Sequence, residues 1–268
     1  SVDESGTTDT FTVVLTAQPT SNVVLTITSS DTGEATVNSP LTFTNANWNT
    51  PQTVTVTAVD DSGVVDGDQV STLTVAVNDA NSDDTFDAVA DQTVSATTTD
   101  DDVAGFTVTE TGGSTTVAET GTTDTFTVVL TAQPASDVVL SISSADTDEA
   151  SVAPSSVTFT TGNWNTAQTV TVTGIDESVV DGDQNSTITV AILDAASDDS
   201  FDALADQTVS VTTTDNDVAG FTVAQTDGST TVAETGTTDT FTVVLNAQPV
   251  SDVVLTITSS DTGEATVN

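Results

Sequence analysis

Apolar and polar residues alternate along this chain with the period of a β-strand, and no segment shows the period of a helix. Phe126, Val128 and Leu130 share one face of the run 123–132, with Thr mostly between them; Val138, Leu140 and Ile142 share one face of 137–144. Val170 and Val172, then Ile188, Val190 and Ile192, then Val209 and Val211 continue the pattern. Val and Thr are β-branched and suit a pleated, half-buried surface. Over residues 103–217 the alternation predicts seven strands, at 104–117, 123–132, 137–144, 156–160, 168–175, 185–193 and 206–213. Seven short strands punctuated by turn residues predict an all-β fold, a seven-stranded antiparallel β-sandwich.

The pattern recurs with a long period. The stretch Gly6–Pro19 reappears unchanged at Gly121–Pro134 and again at Gly236–Pro249, where Asn246 replaces Thr, so the period is 115 residues (121 − 6 and 236 − 121). Each acidic run, Asp100-Asp101-Asp102 and Asp215-Asn216-Asp217, is followed by Val-Ala-Gly-Phe-Thr-Val, which sets the phase. On that phase residues 103–217 are a complete repeat, 1–102 a repeat without its first strand, and 218–268 the opening strands of a third. Tandem near-copies build length or multiply weak contacts, and seldom build an active site.

Composition narrows the chemistry. The chain has no Lys, Arg, His, Cys or Tyr and 41 acidic residues, a formal net charge of −41. Nucleic acid and anionic membrane surfaces are gripped by Lys and Arg and are excluded as partners. Ordinary nucleophilic triads, thiolates, Schiff bases and zinc sites of nitrogen or sulfur go with them. Carboxylates, hydroxyls, amides and backbone carbonyls remain, the ligands of a hard cation such as calcium. Carboxylate-pair hydrolysis is the one enzymatic route left. It needs a cleft with aromatic subsites, and aromatics are 4% of the chain, so the chain is read as not an enzyme. No apolar run approaches a membrane span, and any signal peptide or anchor is expected outside this window.

Strand parity places the acids. If successive strands run antiparallel, the first, third and fifth connections share one end of the sandwich with the end of the repeat. They hold Glu119; Asp146, Asp148 and Glu149; Asp176, Glu177, Asp181 and Asp183; and the repeat closes on Asp215 and Asp217. Bare carboxylates so crowded raise one another's pKa and push the tip apart unless a cation joins them.

The Glu of Val117-Ala118-Glu119-Thr120-Gly121, the run from Ile175 to Gln184 and the closing Asp215-Asn216-Asp217 resemble the Calx-beta domain. That family includes the calcium sensor of sodium–calcium exchangers and tandem modules of bacterial surface proteins. The resemblance implies an immunoglobulin-like sandwich that binds Ca2+ at this tip. It implies ligands at Glu4, Glu119 and Glu234; at Asp60, Asp61 and Asp66, and Asp176, Glu177 and Asp181; and at Asp100, Asp101 and Asp102, and Asp215 and Asp217. With Asp68, Asp146, Asp148 and Asp183 from the same tip, these are the candidate metal residues. Departures from the family pattern are Gln69 and Gln184 where Glu is common, Asn216 within the last acidic run, and the lack of an Asp-Tyr pair after the third strand.

The opposite end carries Pro134, Asn163-Trp164-Asn165 and the loop 194–206 with Phe201 and Leu204; Trp48 is the counterpart of Trp164. A loop Trp can stack on a sugar, or it can plug the open end of the core and seal a joint between repeats. The sequence therefore leads to a calcium-stiffened extracellular spacer on a bacterial cell surface. Its partners are neighbouring repeats and, in a filament, other copies. Two alternatives remain: a multivalent sugar- or protein-binding module using Trp48 and Trp164, and a halophilic surface-layer repeat screened by salt without specific sites.

Overall fold

The computed structural model describes all 268 residues. The chain is all-β, with no regular structure beyond strands and three-residue 3-10 turns. In residues 103–217, two sheets face each other. One has four strands, ordered Phe106–Glu110, Thr123–Leu130, Gln168–Gly174 and Ala150–Ala153. The other has five, ordered Thr115–Ala118, Gln207–Thr214, Gln184–Ile192, Val138–Ser144 and Ser156–Phe159. The inward residues of both sheets build a single core of 20 buried side chains, among them Phe126, Leu140, Phe159 and Ile188, with Phe201 of a 3-10 turn and Val65 of the preceding repeat included.

Within the two sheets of the sandwich, the structure departs from the expected strands at two places. The run 104–117 is two strands in different sheets. Phe106–Glu110 runs antiparallel to Thr123–Leu130, whereas Thr115–Ala118 runs parallel to Gln207–Thr214, so the sandwich is not purely antiparallel. The crossing is made at Gly112 and Gly113, whose φ of 76° and 85° lie where a Cβ is strongly disfavoured. The second departure is an unforeseen strand, Ala150–Ala153, edging the four-stranded sheet before the chain crosses to Ser156–Phe159. Both split segments run one way overall, so the strand parity is preserved.

Residues 1–102 repeat this plan with sheets of five and three strands. The one strand without a counterpart is Phe106–Glu110. Its place is an apolar cavity of about 500 Å³ lined by residues such as Phe11, Val13, Leu15 and Phe86, and the core there divides into clusters of seven and six residues. In residues 218–268, Phe221–Gln225 pairs with Phe241–Leu245 as its counterpart does.

Repeats are joined by hydrogen-bonded backbone. Val64–Val65 of the first repeat pairs in parallel with Gln133–Pro134 of the second, and Gln133 N–H donates to Gly63 O at 2.8 Å. The second joint has the same form, with Val179–Val180 on Gln248–Pro249 and Gln248 N–H donating to Ser178 O at 2.7 Å.

Candidate metal centre

Glu4 and Glu119 are set by the edge strand that precedes them. The parallel ladder to the last strand of the repeat runs one residue further, with Glu4 N–H on Thr99 O and Glu119 N–H on Thr214 O, both 3.2 Å. Each Glu therefore sits beside the closing acidic run. The chain then reverses at Gly6 and Gly121, at φ of 89° and 83°, which is why Gly follows two residues after the Glu. Both carboxyl groups are driven inward, leaving Glu4 0% and Glu119 1% exposed.

A second glutamate enters from the third connection. Asp31 Oδ1 accepts Gly33 N–H and Asp31 O accepts Ala35 N–H, a tight turn that turns Glu34 into the tip. Asp146 plays the same part for Glu149, accepting Asp148 N–H at 3.1 Å. The main chain of these glutamates is tied to the fifth connection, because Val59 N–H donates to Glu34 O and Ile175 N–H to Glu149 O.

Four sets of carboxylates converge so that one oxygen from each member lies within 4.8 Å of the others. In the first repeat they are Glu4, Asp61 and Asp102, and Glu34, Asp61 and Asp66, with Asp61 common to both. In the second they are Glu119, Glu177 and Asp181, and Glu119, Asp215 and Asp217. Calcium–oxygen bonds of about 2.4 Å put ligands across one ion up to about 4.8 Å apart, so the spacing fits that ion.

Several carboxylate oxygens of the tips lack partners. Both carboxylate oxygens of Glu4 are buried without a hydrogen bond, as are one each of Glu34, Asp66, Glu119, Glu149 and Asp217. A buried charge without a counter-charge is costly, so it takes up a proton or a cation. Burial pushes Glu4 up to about 7, and Asp61, Asp100, Glu34 and Asp66 add to the rise. Burial, then the charges of Asp181, Glu119, Asp146 and Glu177, push Glu149 up to about 6. Burial also raises Glu34, Asp61 and Asp66. The all-oxygen donor sets, each convergent on a buried glutamate with an unpartnered oxygen, fit calcium.

The remaining candidates shape the tip. Asp100 accepts Asp66, Gly67 and Asp102 N–H, holding the fifth connection against the closing run. Asp215 takes Gly182 and Asp217 N–H in the same way, while its oxygens also belong to a convergent set. Asp60 caps Ser62 N–H; Asp68 and Asp183 accept Asp100 and Asp215 N–H. Asp101 and Asp176 are outside the convergent sets. Asp146 and Asp148 lie exposed in the turn, and Glu234 is exposed in residues 218–268. Asn216 donates its N–H to Glu119 Oε2 at 3.1 Å and its Nδ2 to Asp176 Oδ1 at 3.2 Å. The second tip thus supplies part of its own compensation where the first has Asp101. Glu34 was not among the sequence candidates, and Glu149 was placed at the tip without being counted as a ligand.

At the opposite end, Trp164 is half-buried against the main core and its carbonyl accepts Leu130 N–H at 3.2 Å; Trp48 is likewise half-buried, with Leu15 N–H on its carbonyl. Phe201 is fully buried and Leu204 packs beside it.

No protein-family model and no curated protein sequence matches the chain. Among solved structures it is similar to domains 4 and 5 of the S-layer protein SbsC, at 18% identity over 71% of this chain and 70% of that one, with a TM-score of 0.32. It is similar to the E. coli chaperone DraB at 11% identity over 44% and 59%, TM-score 0.32. It is also similar to SSP-19, an MSP-domain-like protein of Caenorhabditis elegans, at 20% identity over 38% and 92%, TM-score 0.26. TM-scores this low carry no inference about activity.

Proposed function

We propose that this chain is a structural spacer of a cell surface, a tandem β-sandwich array in which calcium at each tip stiffens the joint to the next repeat. The observation that carries the reading is Glu4, fully buried with both oxygens unpartnered and facing Asp61 and Asp102. No basic side chain exists to compensate it, and an oxygen-binding cation is the counter-charge that fits. Such an ion would cross-link the edge strand, the fifth connection and the closing acidic run. The closing run leads into the next repeat and the fifth connection pairs with it. Strands of nine residues at about 3.3 Å each give every repeat roughly 30 Å of length before its loops. Half-burial of Trp48 and Trp164 favours core plugs over an open sugar platform. A role at the surface follows from length and repetition, since a spacer is useful where distance must be spanned.

Thermal unfolding of the full chain in chelator, in calcium, and in KCl of matched ionic strength tests the reading. Calcium at micromolar to millimolar levels is expected to raise the midpoint well above KCl. Equal effects would replace a specific site by general screening of the net charge.

A further inference from the structure

The acidic loop that supplies cation ligands also carries two residues that no ligand role explains, Val64 and Val65. Val65 is 6% exposed, and it is not buried by its own repeat. It belongs to the core of the following repeat, with Phe106, Leu130, Ala132 and Val138. The short backbone pairing of Val64–Val65 with Gln133–Pro134 holds it there. The two ends of this loop are Asp61 and Asp66, which meet Glu34 in one convergent set. Asp61 Oδ1 also accepts Val64 N–H at 3.3 Å. The second joint repeats the backbone pairing between Glu177 and Asp181, with Val180 on Pro249 and half-buried at the rim of a cavity that Phe221 and Leu245 also line.

We infer that the loop Asp61–Asp66 couples cation binding at the tip of one repeat to the folding of the repeat after it. This rests on the cation reading above. A cation held by Asp61, Asp66 and Glu34 pins both ends of a loop only four residues long between them. The position of Val65 is thereby fixed before it enters the neighbouring core, so less conformational entropy is lost on docking. Linkage makes the effect reciprocal: a folded second repeat holds the loop in its ligating form and tightens cation binding in the first. The coupling has a direction along the chain, because the loop of the first repeat reaches the core of its C-terminal neighbour and the loop of the second pairs with the segment that follows it in the same way.

The two tryptophans report the two repeats separately, as the chain has no others. In the full chain, Glu119→Gln with Glu149→Gln disables the second tip. Trp48→Phe then leaves Trp164 to report the second repeat; a companion with Trp164→Phe leaves Trp48 to report the first. Calcium is expected to raise the Trp48 transition and also to raise the Trp164 transition by about 5 °C. Val65→Ser, which keeps every carboxylate, is expected to abolish the Trp164 response and to weaken calcium binding at the first tip about tenfold. A Trp48 transition indifferent to calcium would overturn the cation reading itself. A Trp48 transition that responds while Trp164 does not, or a Trp164 response that survives Val65→Ser, would overturn the coupling alone. Should Val65→Ser prevent folding of the second repeat, Glu34→Gln supplies the same test from the ligand side, and the Trp164 response must again disappear.

Discussion

Glu4 concentrates the electrostatics of the molecule in one side chain. Its folded-state pKa lies near 7, raised by burial and by Asp61, Asp100, Glu34 and Asp66, so the folded state holds a proton that the unfolded state has released. A carboxyl group raised in this way destabilises the fold as pH rises from its ordinary range through about 7. In chelator, the melting temperature of the first repeat is therefore expected to climb as pH falls from 8 to 5. With millimolar calcium, which stabilises the charged form, that climb should flatten or vanish. Trp48 fluorescence melts across this range check it, and a profile of the same slope with and without calcium would count against Glu4 as a ligand. Asn216 shows the opposite tactic, its side-chain amide donating to Asp176 and its backbone N–H to Glu119 where the first repeat has Asp101. The role of Glu34 was visible in principle. Six of the eight glutamates fall at two repeat positions, Glu4, Glu119 and Glu234, and Glu34, Glu149 and Glu264. Three copies in one chain amount to a small alignment, and Glu held at a position among so many Asp marks a need for the longer reach.

Elements of the sandwich were legible wherever one face alone is buried, because a period of two then fixes which residues point inward. Phe126, Val128, Leu140, Ile142, Ile188 and Val190, all assigned to inward faces, are buried. The crossing strands were not legible. The apolar positions change parity across the glycines, from Phe106 and Val108 to Val117, and a change of parity does not say which sheet a residue faces. Ala150–Ala153 is short and half-exposed and gave little periodic signal. At the end opposite the candidate metal centre, Asp198 acts as a structural acceptor. Asp198, only 7% exposed, accepts Ser136 N–H, Ser136 Oγ–H and Ser200 N–H, tying the loop that carries Phe201 to the turn after Pro134. Asp198→Ala is expected to cost the second repeat about 2–3 kcal/mol while leaving its calcium affinity unchanged. Denaturant unfolding followed at Trp164, with calcium titration of the same variant, measures both.

The whole chain is governed by its joints. A net charge of −41 with no basic residue favours separation of the repeats, and the backbone pairing at Gln133–Pro134 and Gln248–Pro249 opposes it. Calcium bound as proposed would lower the charge of each tip and brace the loop that makes the pairing. Small-angle scattering of the full chain, at fixed ionic strength, should therefore show a longer maximum dimension and a stiffer profile in calcium than in chelator. An unchanged profile would remove the rod mechanism.

The alternation of Val and Thr, the period of 115 residues and the absence of every basic side chain were sufficient for the fold class, the phase of the repeats and an oxygen-only chemistry. Strand parity added the tip where the acids gather. These are properties of local pattern and composition, which a sequence records directly. Tertiary structure decided which of those acids lose their hydrogen bonds and which cap turns, because that depends on where segments more than 30 residues apart come to rest against one another. It also decided that Val65 belongs to the core of the next repeat. An apolar pair inside an acidic loop has no periodicity of its own to read, and only the docked neighbour gives it a buried face.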